Sequence, residues 1–148
     1  MKTQGGFLIT RIKQVGGRVF ERILSEKNID AFNGSQGRIL YILWQKDGVP
    51  ISELSKETGL ATTTLTSMLD RMEQKQLIRR TTDINDRRKY LIALTPKARS
   101  LEKKYRTVTD QMTELTYQGF TVNEITQLEE YLERVLDNVR NAEMSQKK

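Results

Sequence analysis

The stretch SELSKETGLATTTLTSMLDRMEQKQLIRRTTDINDRRKYLIALTP, residues 52–96, decides the fold. Its first part predicts a short helix from Ser52 to Thr58, which Gly59 ends. After the turn at Leu60 and Ala61, apolar residues at helical spacing predict a longer helix from about Thr62 to Gln76. Two helices joined by a short glycine-containing turn are typical of a helix-turn-helix.

Two β-prone segments follow the longer helix. They run from Leu77 to Thr82 and from Lys89 to Leu94, and the polar, turn-prone residues 83–88 separate them. This pattern predicts a β-hairpin that projects from the helix pair.

The remaining segments predict helices, so the expected fold is mainly α. The first helix is expected over Phe7–Lys27, and Asn33 and Gln36 form a capping box that opens the second. Thr95 and Pro96 open a helix that is expected to end near Gly119. A Thr121–Glu124 capping box opens the last helix, which we expect to fray beyond Ala142.

Composition limits the classes of function. The chain has 148 residues, a net charge of +6, and neither cysteine nor histidine. These absences exclude thiolate catalysis, Ser-His nucleophile pairs and almost every zinc site. We therefore predict no enzyme activity, no catalytic residue, no metal and no cofactor. Without a secretory signal pattern or a long apolar run, the sequence predicts a cytoplasmic protein.

The longer helix of the pair carries an unusual polar face. Leu65, Met68, Leu69 and Met72 have the spacing of a core-facing stripe, whereas the opposite side begins with threonines and a serine. Hydroxyl residues are poor helix formers, so their clustering favours contact with base edges and phosphates over an indifferent solvated surface.

The hairpin is strongly basic. Only Asp83 and Asp86 oppose its arginines and lysine, and an extended basic loop can enter the minor groove of DNA. The predicted DNA-binding residues are Thr62, Thr63, Thr64, Thr66, Ser67, Arg71, Arg79, Arg87, Arg88 and Lys89.

These segments resemble the MarR family of winged helix-turn-helix transcriptional regulators. The resemblance rests on residues 53–60, on residues 65–78, and above all on Asp86-Arg87-Arg88 followed by residues 91–98. It implies that Thr62 to Arg71 form a recognition helix and that the hairpin is a DNA-binding wing. It also implies that Asp70 pairs with a wing arginine, for which Arg88 is the expected partner, so that Asp70 and Asp86 orient the wing.

The resemblance also implies a homodimer that represses transcription at a pseudo-palindromic operator in double-stranded DNA. Residues 1–32 and 95–148 would form the dimerisation helices, and residues 33–94 the DNA-binding domain. Independently, three helices carry more apolar residues than a small winged domain can cover, which indicates an interface. No membrane partner is expected.

Two questions stay open at this point. Members of such a family often bind a small aromatic or phenolic effector, and the residues that would line its pocket are Phe20, Tyr41, Trp44 and Tyr105. Taken singly, each of these side chains is better explained by core and interface packing. A winged-helix module that binds another protein is the alternative function, but it leaves the arginine-rich hairpin unexplained.

Overall fold

The computed structural model describes residues 1–146, in two compact units that comprise residues 1–110 and the residues from 111 onward. Three elements precede the helix pair: α1 (Gly5–Glu26), α2 (Gly34–Gln45) and β1 (Val49–Pro50). The pair itself is α3 (Ile51–Thr58) and α4 (Thr62–Gln74), and β2 (Ile78–Thr82) and β3 (Tyr90–Leu94) follow it. The chain continues with α5 (Pro96–Arg99), α6 (Glu102–Thr116) and α7 (Val122–Gln146). The predicted mainly α fold with a small β-hairpin is confirmed.

The hairpin is part of a three-stranded antiparallel sheet in the order β1-β3-β2. Ile78 pairs with Leu94 and Thr82 with Tyr90, so β2 and β3 are in register along their whole length. The third strand was not expected from the sequence. Val49 and Pro50 pair with Ile92 and Leu91, which attaches the segment before α3 to the base of the hairpin.

The core of the first unit lies between the helix pair, α2 and the sheet. Its fully buried side chains come from every one of these elements: Ile39, Leu40, Leu43, Leu54, Leu65, Leu69, Met72, Leu77, Ile78 and Ile92. Because α4 contributes three of them from one stripe, its opposite face has to point outward.

The local capping signals were correctly interpreted. Asn33 and Gln36 form the expected capping box, and Gly59 ends α3 in the left-handed conformation with φ of 74°. Thr95 caps α5 with Pro96 at the first helical position, and Thr121 and Glu124 exchange the two bonds of a capping box before α7. Such signals act over three or four residues, so the sequence alone reveals them.

One helix prediction was wrong. The helix expected from Pro96 to Gly119 is interrupted after Arg99, because the Ala98 carbonyl accepts bonds from Leu101 N and from the Trp44 indole instead of continuing the α-helical ladder. Helix α7 continues to Gln146, so the segment expected to fray beyond Ala142 is helical as far as the structure describes it, and residues 147 and 148 lie outside the described residues. Residues 143 and 144 are Glu and Met, which are good helix formers.

Candidate nucleic-acid interface

Helix α4 has one buried face and one exposed face. Leu65, Leu69 and Met72 have no exposed surface, and Met68 is half-buried beside them. The predicted contact residues of this helix are all exposed: Thr62, Thr63, Thr64, Thr66, Ser67 and Arg71. The helix therefore presents an exposed, hydroxyl-rich surface.

Helix α4 begins without a side-chain cap. Ala61 is the N-cap residue, no side chain bonds to the free amides there, and Thr62 is already helical. The Thr66 hydroxyl donates to the Thr62 carbonyl at 2.8 Å. Because its proton is used inside the helix, Thr66 offers an acceptor lone pair and a methyl group to a partner.

The tip of the hairpin is held by its own aspartates. Asp83 N donates to the Lys89 carbonyl at 3.0 Å, and Asp83 Oδ1 accepts from Asn85 N at 2.9 Å. Asp86 Oδ1 accepts from both Arg88 Nε and Arg88 N at 3.1 Å. These two bonds from Arg88, the side-chain bond first, lower the pKa of the Asp86 carboxyl.

The basic side chains of the hairpin face solvent. Arg79, Arg87, Arg88 and Lys89 are all exposed, and the Arg88 side chain retains 90% of its accessible surface even though it pairs with Asp86. The structure thus places Arg87, Arg88 and Lys89 on an accessible, positively charged tip, whereas Arg79 is exposed on β2 near the base of the hairpin.

The predicted pairing of Asp70 with Arg88 is wrong. Asp70 Oδ1 instead accepts from Arg80 Nη2 at 2.7 Å, while Arg80 Nη1 bonds to Glu73 Oε1 at 2.9 Å. Arg80 lies opposite Ile92 in the sheet and two residues from the buried Ile78, on the face directed toward α4. Arg88 lies in the turn beyond the strands and bonds to Asp86.

Sequence reasoning missed Asp47, which fixes the base of the hairpin. Its Oδ1 accepts from Gly48 N at 2.9 Å and from Leu94 N at 2.8 Å, and its Oδ2 pairs with the Arg99 guanidinium. One carboxylate therefore joins the residues after α2 to the end of β3 and to α5. The sequence showed Asp47-Gly48 only as a signal for the end of α2.

Thr95 is a second buried anchor at the same end of the sheet. Its hydroxyl donates to the Gln76 carbonyl at 2.6 Å and accepts from Ala98 N at 3.2 Å. The expected N-cap residue therefore also connects the start of α5 to the residues that lead into β2.

The four predicted pocket aromatics are close together around one ring. Tyr105 has ring-centroid distances of 5.2 Å to Trp44, 6.1 Å to Tyr41 and 6.1 Å to Phe20, and Phe32 completes the cluster at 5.8 Å. Burial raises the pKa of the Tyr105 phenol, although the nearby Arg38 guanidinium acts in the opposite direction.

A cleft of about 260 Å³ opens beside this cluster. Tyr41, Trp44 and Tyr105 line it, whereas Phe20 contacts Tyr105 from outside the lining. The polar wall contains Gln45, Thr109 and the ion pair of Arg106 with Glu102, whose N···O distance is 3.1 Å. The cleft thus combines aromatic rings with a few polar groups, which is the composition of a small-molecule site.

Within residues 1–146, no group of three acidic, cysteine or histidine side chains is placed to hold a metal ion. No helix in that range has the length and apolar character needed to cross a membrane.

Comparisons with known proteins agree with this geometry. Residues 32–90 match the MarR family, a stretch that contains α2, the helix pair, β2 and the turn of the hairpin. The transcriptional regulator MgrA of Staphylococcus aureus is 28% identical over 121 residues, which cover 80% of this chain and 81% of that protein. The transcriptional regulator TtmR of Methylorubrum extorquens is 32% identical over 88 residues; the match covers 60% of this chain and less than half, 44%, of TtmR.

Among solved structures, a cysteine-to-serine mutant of MarR from E. coli in complex with operator DNA superposes with a TM-score of 0.81. It is 26% identical in sequence, and the alignment covers 88% of this chain and 92% of that one. These relatives are regulators of transcription and not enzymes, which agrees with the expectation from composition. Residues 32–90, which contain the exposed hydroxyl face of α4 and the turn of the arginine-rich wing, thus match the MarR family of transcriptional regulators, and the chain has the winged helix-turn-helix fold of the operator-bound MarR structure.

Proposed function

We propose that this protein is a cytoplasmic, homodimeric regulator that binds a specific sequence of double-stranded DNA and represses transcription until a small effector releases it. One observation carries the proposal. Helix α4 buries Leu65, Leu69 and Met72 completely, so its threonines and serine are exposed on the helix to which the basic wing is joined by ion pairs.

In this proposal residues 33–94 form the DNA-binding domain and α4 enters the major groove. Thr62, Thr63, Thr64, Thr66 and Ser67 contact bases and phosphates, and Arg71 and Arg79 contact the backbone at the groove edge. Thr66 acts as an acceptor, which suits the amino groups of adenine or cytosine. Arg87, Arg88 and Lys89 reach the minor groove, where a narrow groove concentrates negative potential.

The dimer is proposed from two uncovered apolar stripes. Phe7, Leu8, Ile9, Ile12 and Val15 on α1 are between 40% and 68% exposed, and on α7 Leu132, Val135, Leu136 and Val139 are between 43% and 60% exposed. Stripes of this size mark an interface, and a second copy of residues 1–32 and 95–148 would cover them. A two-fold dimer predicts half-sites about 34–36 Å apart, one turn of DNA.

The cleft beside Tyr105 supports an effector of the small aromatic or phenolic class. Tyr41, Trp44 and Tyr105 offer ring faces and edges to a planar ligand, and Arg106 offers a charged donor for a carboxylate or phenolate. Trp44 also donates to the Ala98 carbonyl at 3.0 Å, so a ligand that displaces the indole would disturb α5 at the base of the wing.

The proposal is tested by selecting duplexes from random DNA and then measuring affinity for the selected site over a series of salt concentrations. We expect a sequence with dyad symmetry and an affinity that falls by orders of magnitude between low and moderate salt. Replacing Arg87 and Arg88 together by alanine should weaken binding substantially and leave helix content unchanged.

A matched control removes the same amount of charge elsewhere. Lys103 and Lys104 are exposed on α6, outside the proposed DNA-contacting residues, and their double alanine variant should bind nearly as the wild type does. If both double variants lose affinity equally, the arginines act only through net charge. If the wild type selects no sequence and binding is insensitive to salt, the protein-interaction module becomes the better proposal.

A further inference from the structure

The tip of the wing carries one large apolar side chain. Ile84 is 96% exposed, between Asp83 and Asn85, in a turn that is otherwise polar. Turns favour Gly, Pro, Asn, Asp and Ser, and a β-branched residue offers no comparable local advantage there. The exposed apolar residues of α1 and α7 belong to stripes suited to a dimer interface, whereas Ile84 lies on the polar hairpin.

The backbone around Ile84 is held by hydrogen bonds on both sides. Asp83 N bonds to the Lys89 carbonyl at 3.0 Å, and Asn85 N bonds to Asp83 Oδ1 at 2.9 Å. Lys89 N closes the turn by donating to the Asp86 carbonyl at 3.0 Å. The isoleucine is therefore presented outward from a folded tip.

The charges around Ile84 indicate which partner this tip meets. Arg87, Arg88 and Lys89 follow within five residues, all exposed, and the carboxylate of Asp86 is already bonded to Arg88. An apolar side chain surrounded by cations suits a polyanion whose own surface has apolar parts. The minor groove of DNA meets this description, because deoxyribose rings form its walls and phosphates line its edges, and many proteins insert aliphatic side chains there.

We propose that Ile84 is a DNA-contacting residue that packs against the sugars of the minor groove while the neighbouring arginines neutralise phosphates. This inference rests on the proposed function. The contact of Ile84 with the sugars adds a contribution to the binding free energy that depends on groove shape and not on salt, at base pairs that α4 does not reach. A narrow, A·T-rich groove brings both walls close to the side chain, so Ile84 favours such sequences at the outer ends of the operator.

The test compares Ile84→Ser, Ile84→Val and Arg87→Ala on the selected duplex over a salt series. With two wings per dimer, we expect Ile84→Ser to weaken binding about tenfold, equivalent to about 1.4 kcal/mol. The slope of log affinity against log salt should stay unchanged, whereas Arg87→Ala should reduce it by about one per lost phosphate contact. Ile84→Val retains an apolar contact and should bind close to the wild type.

Thermal unfolding of the variants separates a contact with DNA from a structural role. Because Ile84 is almost fully exposed, Ile84→Ser should melt at the wild-type temperature. Wild-type affinity for Ile84→Ser, or a fall in its salt slope equal to that of Arg87→Ala, would overturn the inference and leave the proposed function standing. Failure of the wild type to bind any duplex would overturn both.

Discussion

The bond network of Arg80 allows a direct test of how the wing is fixed to α4. The perturbation is a pair of double-mutant cycles. One combines Asp70→Asn with Arg80→Ala, and the other combines Asp70→Asn with Arg88→Ala. The structure predicts coupling in the first cycle only, since Asp70 bonds to Arg80 whereas Arg88 bonds to Asp86.

The magnitude follows from distance and exposure. The Arg80 side chain is 24% exposed and its two N···O distances are 2.7 and 2.9 Å, but Asp70 and Glu73 remain 60% and 44% exposed. Solvent screening at these carboxylates limits the Asp70–Arg80 coupling to about 0.5–1 kcal/mol. Arg80→Ala also loses the Glu73 bond and the packing of its aliphatic stem, so we expect a total cost of about 1.5–2 kcal/mol.

The assay is urea unfolding followed by circular dichroism, at one protein concentration because a dimer's stability depends on it. Coupling between Asp70 and Arg80 should shrink as salt rises. A coupling energy below about 0.3 kcal/mol for Asp70–Arg80, or an equal value for Asp70–Arg88, would refute the assignment of Arg80 as the residue that fixes the wing to the helix.

Three further predictions concern the core, the aromatic cluster and the tip. Leu69→Ala should destabilise the protein by about 2–5 kcal/mol in urea unfolding, because the side chain is fully buried. Gly37→Ala places a Cβ 2.7 Å from the Tyr105 ring, so we expect a loss of about 1–3 kcal/mol; an unchanged unfolding midpoint would contradict this packing. The pKa of Asp86 is lowered in the folded state. Its bonds to Arg88 therefore stabilise the fold at pH values above the ordinary pKa of 3.8, and this stability is lost as the pH falls through the lower folded-state pKa. Carboxyl chemical shifts in an NMR titration should show the Asp86 pKa below 3.8 in the wild type and closer to its ordinary value in Arg88→Ala, which loses the side-chain bond but keeps the bond from the backbone N–H of residue 88.

Much of the proposed DNA-binding surface was predictable because it is encoded locally. The period of Leu65, Leu69 and Met72 fixes which side of α4 is buried, and that alone exposes the threonines on the other side. The turn of the hairpin and the capping boxes involve residues only a few positions apart. A single sequence displays such spacings directly.

The parts that were missed depend on residues far apart in the chain. Asp47 meets Leu94 at a separation of 47 residues, and Trp44 meets Ala98 at 54, so no local pattern reveals either bond. Arg80 and Arg88 are equally basic in sequence. Only the strand register, which places Arg80 opposite Ile92, shows which of them faces the carboxylates of α4.

The two outer strands of the small sheet also affect how the molecules behave when they crowd together. One outer strand, β1, is only two residues long and ends in Pro50, which has no amide proton to donate to a neighbouring strand. The other outer strand, β2, bears Arg79 and Arg80. Neither outer strand is a good template for pairing with a strand from another molecule. Wings brought side by side on closely spaced binding sites should therefore remain separate instead of joining into a continuous β-ribbon, and the protein should tolerate high local concentration without polymerising.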